Sequence, residues 1–213
     1  MSVAAKICGL TSREALDAAV EGGAAYVGFV FFPQSPRHIE IEAAVALRRR
    51  VPRSVKAVAV LVEPVDMLLG QVVARLNPDL VQLHGQETPE AIAELRKRYN
   101  VSVMKALSVS QAADLDAVPR YAAVSDMLLF DAKPEASATR PGGHARSFDW
   151  SLLKGRDIGK PWMLSGGLTA ENVGEAVRRS GAKLVDVSSG VERAPGEKDP
   201  ARIREFLDAV KRL

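Results

Sequence analysis

At 213 residues, with 47% apolar and 26% charged side chains, the chain has the composition of a globular protein with room for one well-buried core. Its formal charge of +3 is small and its few aromatics (5%) are not interleaved with basic residues, which excludes a nucleic-acid surface as a working expectation. One cysteine rules out an intramolecular disulfide framework, three histidines leave no Cys/His zinc cluster to expect, and no segment reads as a signal peptide or membrane span, so the expected location is cytoplasmic.

Short apolar runs alternate with amphipathic segments along the chain. Residues 3–7 read as a buried strand that stops at Gly9, and Thr11-Ser12 followed by Arg13-Glu14-Ala15 reads as a helix start. A helix over 14–22 leads to a second strand, Tyr26–Phe31, then a loop, a helix over 40–50 and a third strand, Lys56–Leu61. The cluster Arg48-Arg49-Arg50 falls at a helix C-terminus, where cations complement the dipole. Pro64 opens a helix that runs to Leu76, and a fourth strand, Leu80–Leu83, ends at His84-Gly85. The periodic helix Pro89–Tyr99 precedes a fifth strand over 101–106, and a short helix follows Ser110. A sixth strand over 127–130 ends at Asp131, and 132–147 is an irregular stretch rich in Pro, Gly, Ser, Ala and Thr. Trp162–Leu164 is the seventh strand, ending at Ser165-Gly166-Gly167 before a helix over 169–180; Leu184–Val187 is the eighth, and a helix over 200–212 closes the chain.

Strand–helix alternation on this scale, without a hairpin signal, predicts an α/β fold with a parallel sheet. The count favours closure into a (β/α)8 barrel, one domain over residues 1–213. An open doubly wound sheet is the alternative. Its dinucleotide-binding form needs a glycine-rich first turn, and Cys8-Gly9-Leu10 cannot wrap a pyrophosphate.

In a barrel the chemistry gathers at the C-terminal strand ends. Those ends are Cys8, Phe31-Phe32-Pro33, Leu61-Val62, His84, Lys105, Asp131, Ser165-Gly166-Gly167 and Ser188-Ser189-Gly190. The two glycine-bearing turns follow strands seven and eight, where exposed backbone N–H groups and a helix dipole make a phosphate pocket. No P-loop lysine accompanies them, so a phosphorylated metabolite is expected rather than a nucleotide. Asp131, at a partly desolvated rim, suits general-acid work; a helix cap or a loop salt bridge is the competing role. Cys8 lies on a strand well round the barrel from Asp131, suiting a base on the other face of one substrate, or is a small buried hydrophobe. A thiolate base wants a cation nearby. Lys6, two residues away on the same side of the strand, is a supporting partner or is buried beneath. Arg37, in a loop restricted by Pro33 and Pro36, is a carboxylate clamp or a solvated charge. His84 is expected to support or pack, His38 to orient a ligand at most, and His144 to be exposed; no metal site is expected.

Taken in order, several segments form a specific set: Lys6-Ile7-Cys8-Gly9, Gly28-Phe29-Val30-Phe31 with Ser35-Pro36-Arg37, Val81-Gln82-Leu83-His84-Gly85, Phe130-Asp131 and Ser147-Phe148-Asp149-Trp150. Leu164-Ser165-Gly166-Gly167-Leu168, Asp186-Val187-Ser188-Ser189-Gly190-Val191-Glu192 and Lys198-Asp199 complete it. With them the chain resembles, over essentially its whole length, the phosphoribosylanthranilate isomerases of tryptophan biosynthesis. The resemblance implies a (β/α)8 barrel that performs an Amadori rearrangement on a small phosphorylated substrate without a cofactor; the sequence itself leaves both a monomer and a homodimer open. It implies Cys8 as general base, Asp131 as general acid, Arg37 on the anthranilate carboxylate, and phosphate on Gly166-Gly167 and Ser188-Ser189-Gly190. The chain departs from the family at Gly142-Gly143-His144-Ala145, where the family has a glycine fourth; this bears on loop detail and turnover.

Three alternatives remain at this point. A histidine-pathway sugar isomerase is expected to have an aspartate where Cys8 stands. Indoleglycerol-phosphate synthase has a lysine-rich site and an extra N-terminal segment that are not seen here. A non-catalytic phosphate-metabolite binder needs neither Cys8 nor Asp131.

Overall fold

The computed structural model describes residues 2–133 and 147–213. Eight strands close into a barrel: β1 (Ala4–Cys8), β2 (Tyr26–Phe31), β3 (Lys56–Leu61), β4 (Leu80–Leu83), β5 (Val103–Val109), β6 (Met127–Ala132), β7 (Trp162–Leu164) and β8 (Leu184–Val187). Each strand is parallel to the next. β8 returns to β1 in a register that sets Lys6 opposite Asp186. The helices outside the ring are α1 (Arg13–Glu21), α2 (Ile41–Arg48), α3 (Asp66–Leu76), α4 (Pro89–Tyr99), α5 (Val118–Val124), α6 (Val173–Ser180) and α7 (Pro200–Lys211). None of the described helices is long and apolar enough to cross a membrane.

Local chemistry sets the boundaries. Ser12 caps α1 by accepting from the Ala15 amide, and Thr88 does the same for Ala91 before Pro89 opens α4. Asp199 caps α7 at Ala201, with Pro200 at its first position. Strand residues alternate between two packed layers. Phe29, Leu61, Leu83 and Phe130 point outward to the helices, while Tyr26, Val58, Met104, Leu129 and Met163 fill the barrel centre. The centre is therefore packed, and a pocket opens at its C-terminal end.

The structure corrects four expectations. The sixth strand runs on to Ala132, so Asp131 lies within it rather than past its end. The fifth covers Val103–Val109, displaced from 101–106, because Asn100 ends α4 in the left-handed conformation and Val101 and Ser102 only lead into the strand. The helix expected from 169 begins at Val173. Residues 169–172 form a turn instead, in which the Asn172 side chain accepts from the Thr169 amide and donates to the Gly167 carbonyl. Finally, a hairpin is present after all: β9 (Glu192–Ala194) pairs antiparallel with β10 (Glu197–Lys198). Pro195-Gly196 carries its turn, with Gly196 at φ 87°, a conformation glycine tolerates.

Candidate active site

The barrel's C-terminal mouth holds a pocket lined by Cys8, Arg37, His84, Asp131, Gly166, Gly167, Ser188 and Ser189, brought together from six loops or strand ends. Alternation along β1 aims both Lys6 and Cys8 inward. Lys6 is fully buried, and its ammonium donates to Asp186 Oδ1 at 2.9 Å. Burial alone would pull that ammonium down, but the charges of Asp186 and Cys8 overcome it and push the lysine up to about 12.

Cys8, 7% exposed, is pushed the other way from the depressed value a resting thiolate needs. Burial raises the thiol and Asp186 adds to it; Lys6 and Lys198 pull it down without prevailing. The reason is structural. Asp186 accepts from Lys6 and from the Ser165 hydroxyl, so the cation expected to serve Cys8 is already shared with a carboxylate. Gly28, on β2, makes room for this arrangement: a side chain there would begin 3.1 Å from Cys8 Sγ and 3.2 Å from Lys6 Cε.

Asp131 is 5% exposed, and its Oδ1 accepts from the Ala132 amide at 2.8 Å. His84 Nε2 lies 3.2 Å from Asp131 Oδ2, close enough for an ion pair but off the line of a hydrogen bond. The Gln82 amide holds the other ring nitrogen at 3.1 Å. His84 is thus in direct contact with Asp131. Gly166, at φ 91°, leaves space for this strand as well as for any ligand, since a Cβ would stand 2.8 Å from the Ala132 amide and 3.2 Å from Asp131 Oδ1.

Arg37 is not a solvated charge. It is 5% exposed, and its Nε and Nη2 donate to the two carboxylate oxygens of Glu192 at 2.7 and 2.8 Å. Lys198 donates to the same carboxylate at 2.6 Å and to the Ser188 carbonyl at 3.0 Å. Burial works to raise Glu192, yet Arg37 and Lys198 hold it below the usual carboxylate range, while burial keeps Lys198 below the usual lysine range.

The turns expected to hold phosphate are at the mouth, but their helix partner is corrected. α6 starts six positions beyond Gly167, so its N-terminus does not directly follow the glycines; a short 3-10 turn, Ser189–Val191, does follow β8. Gly190 has a packing reason of its own, because a Cβ there would meet the Leu168 carbonyl oxygen at 2.0 Å. It does not line the pocket. Lys105 is not at the mouth either: it points outward and binds the Gly85 carbonyl and Glu87. His38 pairs with Glu40. His144 and the departure at residues 142–145 lie outside the described residues. Among the described residues no cluster of His, Cys, Asp and Glu could hold a metal ion.

Asp186, Glu192, Lys198 and Gly28 were not singled out as site residues from sequence. A glycine inside an apolar strand and a carboxylate inside Leu184–Val187 were the available signals for two of them.

A closed eight-strand parallel barrel with a polar, cation-bearing pocket at its C-terminal mouth defines the class, a (β/α)8-barrel protein built to take a small anionic ligand. The family model described as N-(5'-phosphoribosyl)anthranilate (PRA) isomerase matches residues 5–209. The chain belongs to the N-(5'-phosphoribosyl)anthranilate isomerase family. It is 56% identical to N-(5'-phosphoribosyl)anthranilate isomerase of Paramagnetospirillum magneticum over 99% of this chain and 98% of that one. It is 55% identical to that of Paracoccus denitrificans over 97% and 96%. The solved phosphoribosyl anthranilate isomerase of Thermotoga maritima is similar with a TM-score of 0.87 at 38% identity, covering 99% of this chain and all (100%) of that one. A solved phosphoribosyl anthranilate isomerase in complex with reduced 1-(o-carboxyphenylamino)-1-deoxyribulose 5-phosphate is similar with a TM-score of 0.85 at 37% identity, covering 99% and 100%.

Proposed function

We propose that Cys8 and Asp131 are the base and acid with which this chain rearranges N-(5-phosphoribosyl)anthranilate to 1-(2-carboxyphenylamino)-1-deoxyribulose 5-phosphate, a step of tryptophan biosynthesis. The observation that carries this reading is that one pocket holds both groups, from strands β1 and β6 well apart around the barrel, beside a buried guanidinium. Asp131 gives its proton to the furanose ring oxygen as the C1–O bond breaks, and the nitrogen lone pair closes a cationic Schiff base. That cation favours the thiolate of Cys8, so the base is armed only once the ring has opened. Cys8 then takes the proton from C2, and the enolamine tautomerises to the ketone. C1 is reduced as C2 is oxidised. The electrons balance within the substrate, so no cofactor enters.

Arg37 holds the anthranilate carboxylate. The backbone of Gly166, Gly167, Ser188 and Ser189 holds the phosphate, with Gly190 packed behind them against Leu168. Lys6 and His84 support the base and the acid. We read the chain as one barrel domain acting in the cytoplasm, as a monomer or as a homodimer; a Thermotoga maritima relative is described as dimeric. The test is Asp131→Asn. We expect turnover to fall by about 10²–10⁴-fold with little change in substrate affinity. Near-normal turnover would remove Asp131 from the acid role.

A further inference from the structure

The densest buried charge that this mechanism leaves without a direct role is the Glu192–Lys198 pair, which is held against Arg37. Arg37, Glu192 and Lys198 are 5%, 6% and 8% exposed. Both Glu192 oxygens are engaged, Oε1 by Arg37 Nε and Lys198, Oε2 by Arg37 Nη2. Lys198 reaches on to the Ser188 carbonyl at 3.0 Å and its hydroxyl at 3.2 Å, and that hydroxyl donates to the Cys8 carbonyl at 3.2 Å. The hairpin that carries Glu192 and Lys198 is docked closely on the loop that carries Arg37: a Cβ at Gly196 would come within 2.2 Å of the Pro36 carbonyl oxygen. From α7, Arg202 donates to the backbone carbonyl of Glu192.

Burying a carboxylate between two cations is a poor way to stabilise a fold, since apolar side chains of the same size do as well. The cluster does two things apolar side chains cannot. It leaves one net positive charge at the mouth, from two cations and one anion. It also joins, through one carboxylate, the loop after β2 to the loop after β8.

We infer that Glu192 is a positioning residue that couples the two anion-holding ends of the pocket, fixing the plane of the Arg37 guanidinium at one end and Ser188, through Lys198, at the other. This rests on the assignment above of Arg37 to the carboxylate and of the Ser188 turn to the phosphate.

Two one-ended competitors separate the ends: anthranilate for the carboxylate, inorganic phosphate for the phosphate. Wild type should be inhibited competitively by both. In Glu192→Gln we expect both inhibition constants to rise about fivefold or more, and the substrate KM to rise about tenfold, more than kcat falls. Arg37→Met should weaken anthranilate selectively, and Lys198→Met phosphate selectively. Glu192→Asp keeps the charge but is shorter, so it should lose at least one end; it carries the comparison if Glu192→Gln does not fold. A folded variant at Glu192 that leaves KM and both inhibition constants unchanged, lowering only the melting temperature, would overturn the inference. A wild type inhibited by neither competitor would overturn the assignment of the two ends before any variant is compared.

Discussion

Two lysines on the eight barrel strands are almost wholly buried, each paired with a carboxylate, yet they serve opposite sides of the sheet. Lys6 points into the barrel, where it binds Asp186 at 2.9 Å beneath Cys8. Lys105 points outward, where it binds Glu87 at 2.7 Å and the Gly85 carbonyl at 2.6 Å. Glu87 in turn accepts from the Glu63 and Gly85 amides and ties two loops together. The same residue type, equally buried, is part of the proposed catalytic site in one case and a loop brace in the other. Strand parity decides which, because neighbouring side chains on a strand face opposite layers.

The comparison breaks most sharply at the lysines themselves. Removing either leaves a buried carboxylate without its cation, so Lys6→Met and Lys105→Met should each cost about 3–5 kcal/mol of stability. Only Lys6→Met should change the chemistry. With Asp186 uncompensated, the Cys8 thiol is pushed further up, and kcat/KM near neutral pH should fall by about tenfold or more. For Lys105→Met, kcat/KM per folded molecule should stay within about twofold. Denaturant titration with steady-state kinetics separates the two, and equal kinetic losses would contradict the division.

A smaller effect sharpens the inner side. Gly28→Ala introduces a Cβ at 3.1 Å from Cys8 Sγ and 3.2 Å from Lys6 Cε, which these neighbours must yield to by a few tenths of an ångström. We expect kcat/KM to fall by about three- to tenfold with the fold intact, because small displacements at the reacting group are costly. An unchanged kcat/KM would mean that Cys8 has room to spare.

The smallest expected effect is on pH dependence. Burial raises Cys8 in the folded protein, so its contribution to stability is present below the unfolded thiol value and is lost as pH rises through the raised folded one. Lys6, pushed up to about 12, has the same sign, with its contribution lost only at still higher pH. Stability in wild type should therefore decline on the alkaline side more than in Cys8→Ala. Over the same range kcat/KM of wild type should climb with pH, without a plateau below the ordinary thiol range. Parallel stability curves for the two proteins would contradict the raised thiol.

Which parts were legible in the sequence follows from the same physics. Cys8 and Asp131 each follow a short apolar run, and a barrel sends the ends of such runs to one mouth. Lys105 also follows such a run, and it was misplaced because a run buried on both faces carries no alternation to show which way a side chain points. Glu192 lies 155 positions from Arg37, and Asp186 lies 180 from Lys6. Both pairs form only when β8 closes against β1, and no local signal announces that register. The late start of α6 has a local cause: the Asn172 side chain offers the backbone a turn in place of a helical first turn.

The central claim is that Cys8 takes the C2 proton. Its most direct test is turnover of N-(5-phosphoribosyl)anthranilate by wild type and by Cys8→Ala, followed as the loss of anthranilate-type fluorescence, with binding measured alongside. We predict that Cys8→Ala still binds substrate and loses about 10²–10⁴-fold in turnover. Equal turnover in the two proteins would make Cys8 a packing residue and contradict the account.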